Sequence, residues 1–176
     1  MKNRRCTIAR RRSSRAVSRM TPKSFKVDTD VPEAVKVEHE KLRKELDRAV
    51  ALGGETADAA RAVLKVLSPH MILEEEYAAP PLRLLPHLAR GEFVPEMSRI
   101  LARTESLKAE MPRMLGEHKL IVEALRRLLQ AAVRERHDGY TTFAQKLIAH
   151  AQQEEDFYYP AAILVGEYIK LRLGRK

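Results

Sequence analysis

The chain has 176 residues, enough for one compact domain with its own core. Sparse Gly and Pro, no Trp and a single Cys argue against a β-sandwich, a disulfide framework and a thiolate metal site. The formal charge of +9 belongs to one end, because residues 1–27 hold ten of the 33 Lys and Arg and none of the 24 acids.

Residues 1–29 read as a basic, disordered and solvated tail, including the case of sequence translated upstream of a start at Met20. Two other readings stand behind it. One is salt-dependent, charge-driven contact with nucleic acid. The other is a targeting segment, suggested by the Arg/Ser-rich, acid-free composition. No apolar stretch follows the arginines, as a secretory signal would need. Cys6 in this tail fits a reducing, cytoplasmic compartment.

Residues 30–174 read as helix after helix. The first runs from about Pro32 to Leu52 and ends at Gly53-Gly54. The second starts near Thr56, taken as N-cap, and reaches Ala79 before Pro80-Pro81. A loop with Pro86, Gly91 and Pro95 follows. The third runs from about Glu96 to Arg136, stopping at Asp138-Gly139. The fourth begins near Thr141 or Thr142 and reaches Tyr159, with a break at Pro160 before a last segment over 161–172. Pro69 and Pro112 fall inside helices and are expected to kink them. No stretch of about 18 apolar residues encodes a membrane span.

Each helix carries an apolar stripe on three-four spacing, and each stripe is interrupted by polar groups. The interruptions form a repeat. Glu38-His39 is followed by His70, Glu74 and Glu75; Glu117-His118 is followed by His150, Glu154 and Glu155. His39, His70, Glu74, His118, His150 and Glu154 each occupy a slot where an apolar residue belongs. Four amphipathic helices with short or moderate connections imply an all-α, antiparallel up-down four-helix bundle with these six groups pointing inward.

Residues four apart share a helix face, so His70/Glu74 and His150/Glu154 can each chelate from one turn. Buried carboxylates require pairing or a cation. Two Glu can bridge two metals while each metal takes two His. Imidazole and carboxylate donors without thiolate suit iron, manganese or zinc, and bridging carboxylates favour a di-iron or di-manganese centre. Six donors do not saturate two octahedral ions, which leaves positions for water, O2 or peroxide. A structural bundle whose core histidines are merely hydrogen-bonded is the alternative.

Glu75 and Glu155, one residue off the stripe, read as partners of an imidazole N–H or as surface residues. Glu38 and Glu117 read as exposed, with the same partner role as the second option. Tyr77 lies on the site face one turn past Glu74 and reads as a core tyrosine, with ligation or a hydrogen bond to a metal-bound oxygen as the alternative. Tyr158 and Tyr159 rank lower, because Phe157 holds the corresponding slot. Met111 and Met114 read as core, and His87 and His137, without repeat partners, stay outside the site.

Over residues 31–160 the Glu-His openings, both His-x-x-x-Glu-Glu segments and the trailing Tyr159-Pro160 resemble the hemerythrin-like, or HHE cation-binding, family of four-helix bundles. The resemblance implies a non-haem di-iron centre of two iron ions, with His39, His70, Glu74, His118, His150 and Glu154 at its ligand positions. Iron ranks ahead of manganese and zinc. Oxygen-carrying members have a second His four residues after the first on the third helix; here that place is Val122. The four-His, two-Glu set looks more like family members linked to peroxide decomposition, nitric oxide handling or iron-centre repair. The expected function is therefore a di-iron protein that binds or reacts with O2, peroxide or nitric oxide, with enzymatic turnover left open. A sensor or storage module without catalysis, or a metal-free interaction bundle, is the alternative. Ferritin-like proteins fit poorly, because no Glu stands three residues before any motif His.

Overall fold

Gly53 and Gly54 both adopt positive φ (78° and 68°), and this turn folds the first two long helices against each other. The computed structural model describes residues 27–174; the expected tail lies, through residue 26, outside the described residues. The four long helices are α1 (Glu33–Ala51), α2 (Gly54–Leu73), α5 (Leu101–Arg134) and α6 (Asp138–Gln153). They form the expected all-α four-helix bundle, with no strand among the described residues. None of their helices is long and apolar enough to cross a membrane. The segment read as a loop contains α3 (Ala79–Leu82), α4 (Leu85–Ala89) and a 3-10 turn (Pro95–Ile100). α7 (Tyr159–Arg172) continues the fourth helix beyond Pro160 and packs on α5 and α3.

Local chemistry corrects several expected boundaries. Thr56 is not the N-cap. α2 starts at Gly54, and the Glu135 carboxylate accepts from the Glu55 and Thr56 amides at 2.8 and 2.9 Å. A distant side chain therefore satisfies donors that a local cap would otherwise take. α5 ends at Arg134, before Asp138-Gly139; just beyond it Arg136 takes positive φ (59°) while the His137 amide donates to the Ala132 carbonyl at 2.8 Å. This is a Schellman-type end with Arg in the usual glycine place. α2 and α5 run through Pro69 and Pro112 without terminating.

The core has three parts. Leu46, Val63, Leu67, Met71, Ile121, Leu125, Leu128 and Leu147 fill one end of the bundle. Leu107, Met114, Tyr159 and Ala162 form a second cluster beside α7. Leu84, Met97, Ile100, Val165 and Ile169 seal the connecting segment. α2 lies along both α1 and α5, and α5 along α6, whereas α1 and α6 make little close backbone approach. The bundle is thus loosest between α1 and α6.

Candidate metal centre

Glu74 and Glu154 are each the first residue of a π-helical turn, Glu74–Ala78 and Glu154–Tyr158. The amides of Ala79 and Tyr159 bond back five residues, to the Glu74 and Glu154 carbonyls. In both copies a proline follows at once, lacking an N–H and disfavouring a tight α-turn over the residue four before it. The repeat in sequence is therefore a repeat in backbone conformation.

All six predicted site residues line one internal pocket, closed by Leu67, Met71, Ile121 and Leu147. His39, His70, Glu74, His118 and Glu154 are buried, and His150 is partly so. Glu74 offers one oxygen to each of two imidazoles. Its Oε1 lies 3.4 Å from His70 Nε2, and its Oε2 lies 3.5 Å from His39 Nε2. Glu154 repeats the arrangement, with Oε1 2.7 Å from His150 Nε2 and Oε2 3.5 Å from His118 Nε2. Ligand atoms of His70, Glu74, His118 and Glu154 fall within 4.8 Å of one another. His39 and His150 sit on the opposite carboxylate oxygens.

Every outer imidazole nitrogen faces an acid from another helix. His39 Nδ1 lies 2.7 Å from Glu75 Oε1, His70 Nδ1 3.0 Å from Glu117 Oε2, and His118 Nδ1 2.9 Å from Glu155 Oε1. His150 Nδ1 is 3.7 Å from Glu38 Oε1, an ion-pair rather than a hydrogen-bond distance. The four acids form a ring around the bundle: α1 to α2, α2 to α5, α5 to α6, and α6 back to α1. A carboxylate accepting from Nδ1–H leaves Nε2 with its lone pair directed inward, the tautomer a metal ligand needs. Glu117 was expected at the surface, yet it is only 20% exposed and is itself held by Arg113 Nε at 2.9 Å. Glu38 is exposed, as expected.

Tyr159 is the functional candidate that the helical period missed. Its hydroxyl donates to Glu74 Oε1 at 2.6 Å and stands 3.1 and 3.0 Å from His70 Nε2 and His118 Nε2. Its ring stacks on that of His118, 5.5 Å between centroids. Tyr77, expected on the site face, lines neither this pocket nor its neighbour; it packs partly buried beside Leu107 and Met114. Phe157, credited with the corresponding slot, is 65% exposed. The π-turn rotates the chain so that the residue five beyond Glu154, rather than three, faces inward. His87 and His137 lie outside the cluster, paired with Glu92 and near Glu135.

Charge is tightly coupled here. Burial opposes protonation of His39 and His70, but Glu74, with Glu75 at His39 and Glu117 at His70, outweighs it and raises both above their ordinary value. The hydrogen bond to Glu154 lifts His150 to about 8, against burial. Burial alone would raise the Glu74 carboxyl, yet His39, His70 and Tyr159 hold it well below the usual carboxylate range. Burial, then the Glu74 and Glu154 carboxylates, push the Tyr159 hydroxyl well above its ordinary value. Four imidazoles and two carboxylates without a thiolate make a donor set that fits divalent or trivalent first-row ions.

A second cleft adjoins the centre along the loose α1–α6 seam. Val35, Glu38, Ala78, Ala79, Leu82 and Tyr158 wall it, and His39, Glu74, His150, Glu154 and Tyr159 line it where it meets the centre.

The family model for the hemerythrin HHE cation-binding domain matches residues 30–162. No curated protein and no solved structure matches the chain.

Proposed function

This chain belongs to the hemerythrin HHE cation-binding family, and from that premise we propose that it is a non-haem di-iron protein that binds or reacts with O2, peroxide or nitric oxide. The observation that carries the reading is the paired presentation of each carboxylate. Glu74 and Glu154 each turn one oxygen toward the His70/His118 side and the other toward the His39/His150 side. On this reading His70 and His118 would hold one ion and His39 and His150 the other, with Glu74 and Glu154 offering an oxygen to each.

Bound iron supplies redox and Lewis-acid chemistry at this centre. The chain's own residues do the rest. Glu75, Glu117 and Glu155 fix three of the imidazole rings through Nδ1, and Glu38 balances the charge of the fourth. Leu67, Met71, Ile121 and Leu147 exclude water from one side. The cleft between α1 and α6 admits a small ligand on the other. Its walls offer no cluster of basic groups for a large anionic substrate, which favours a small neutral molecule or peroxide. The residues that perform the function lie in the bundle, and the family match begins at residue 30, so the basic tail has no part in the reading.

The test is metal content and the ultraviolet-visible spectrum of full-length protein purified aerobically from iron-supplemented cells. Near two irons per chain, with loss of iron in His118→Ala, supports the reading; peroxide and nitric oxide assays then separate turnover from binding. Absence of iron after anaerobic reconstitution overturns it.

A further inference from the structure

The hydroxyl of Tyr159 converges on the same point as the donor atoms on the buried side of the centre. It lies 2.6 Å from Glu74 Oε1, 3.1 Å from His70 Nε2 and 3.0 Å from His118 Nε2. His70, Glu74 and His118, with Glu154, form the group whose ligand atoms fall within 4.8 Å of one another. Ligands at right angles on an ion with bonds of about 2.1 Å stand about 3 Å from one another. The phenol oxygen therefore has the spacing of one more ligand beside three others, and it is too far from each of them to stand in for the ion itself.

Resting on the di-iron reading above, we propose that Tyr159 is a protein ligand of the ion held by His70 and His118, bound through its phenolate oxygen. The hydroxyl proton leaves to solvent as the Oη–iron bond forms. No oxidant or reductant is involved. That ion then has five protein donors: two imidazoles, one oxygen from each bridging glutamate, and Tyr159. The ion that His39 and His150 would hold has four, and the cleft walled by Val35 and Tyr158, in whose lining Glu74 and Tyr159 also take part, reaches it. The added ligand would make the pair unequal, with more positions left open at the His39/His150 ion.

The geometry has a backbone cause. Glu154 opens a π-turn and Tyr159 bonds back to its carbonyl, which brings Tyr159 onto the face that carries Glu154. Its counterpart in the other copy, Ala79, has no donor to offer. The second copy therefore carries a function that the first lacks.

Resonance Raman and visible spectra of the iron(III)-loaded full-length protein test this. The expected result is a phenolate-to-iron charge-transfer band whose excitation enhances tyrosinate ring modes. Both should vanish in Tyr159→Phe, read on the iron that variant retains, and persist in Tyr158→Phe. Tyrosinate modes absent from wild-type protein that holds its irons overturn the proposal and leave Tyr159 as a hydrogen-bond donor to Glu74. Modes that persist in Tyr159→Phe overturn it as well. Absence of tyrosinate modes from the wild-type spectrum is decisive even if Tyr159→Phe fails to fold, and their persistence in Tyr158→Phe then assigns them away from the neighbouring tyrosine. A wild-type protein that takes up no iron refutes the di-iron reading itself, a failure separable by metal analysis alone.

Discussion

An imidazole can ligate a metal through Nε2 only when its other nitrogen carries the proton, and in this protein an acid next to a motif residue enforces that at three of the four histidines. Glu75 follows Glu74 and faces His39; Glu155 follows Glu154 and faces His118; Glu117 precedes His118 and faces His70. Glu155→Gln is expected to weaken iron binding by about 10–100-fold, because the amide no longer stabilises the Nδ1–H form as a carboxylate does. Chelator competition measures this, with exposed Glu76→Gln as an unchanged control; equal affinities would refute the role. The six inward groups were legible because a charged or polar side chain in an apolar stripe has few explanations. The acids were less so. Single-helix periodicity places them at the edge of the stripe, and only the neighbouring helix reveals what they reach. The signal was nevertheless present, since each acid adjoins a motif residue in both copies.

At the scale of the element, the π-turns explain why Tyr159, and not Phe157 or Tyr77, reaches the centre. A period of 3.6 residues was carried through Glu154, whereas the chain there bonds across five residues and its face shifts. The Pro after each turn was read as a stop; it marks a widened turn followed by more helix. α7 is held to α5 by a similarly local feature. A Cβ on Gly166 would stand 2.3 Å from Thr104 Oγ1 and 2.7 Å from Thr104 Cβ, too near for a flexible side chain to relieve. Gly166→Ala is therefore expected to cost about 1–3 kcal/mol through overpacking. Adding Thr104→Ala removes the nearest atom, so the double variant should recover part of the loss in thermal melting. An unchanged melting temperature in Gly166→Ala would show that α5 and α7 separate freely. The interhelix cap is a second case, because a Thr56 N-cap is what local sequence favours while Glu135 arrives from the far end of α5. Neither close approach is visible in one-dimensional pattern, since both join elements far apart in the chain.

For the molecule as a whole, the centre links folding, protons and metal. In the metal-free protein His150 titrates near 8, above its ordinary 6.5, and His39 and His70 are also raised. A raised imidazole contributes stability that is fully present below about 6.5 and lost as pH rises through the folded value, here about 8 for His150. The Glu74 carboxyl is depressed, so its contribution is present above about 4.5 and lost as pH falls below it. Metal-free protein should therefore melt highest between about pH 4.5 and 6.5 and progressively lower toward pH 8. Iron reverses the upper half of that profile, because ligation requires the same imidazoles in neutral form and becomes stronger as pH rises. An ion that binds only the folded chain raises the melting temperature by mass action. The difference between iron-loaded and metal-free melting temperatures should thus widen steadily from pH 6 to pH 8. Calorimetry of both forms across that range measures it. A constant difference would mean that metal binding displaces no protons from the cluster, and that the carboxylates leave the buried histidines neutral even without an ion.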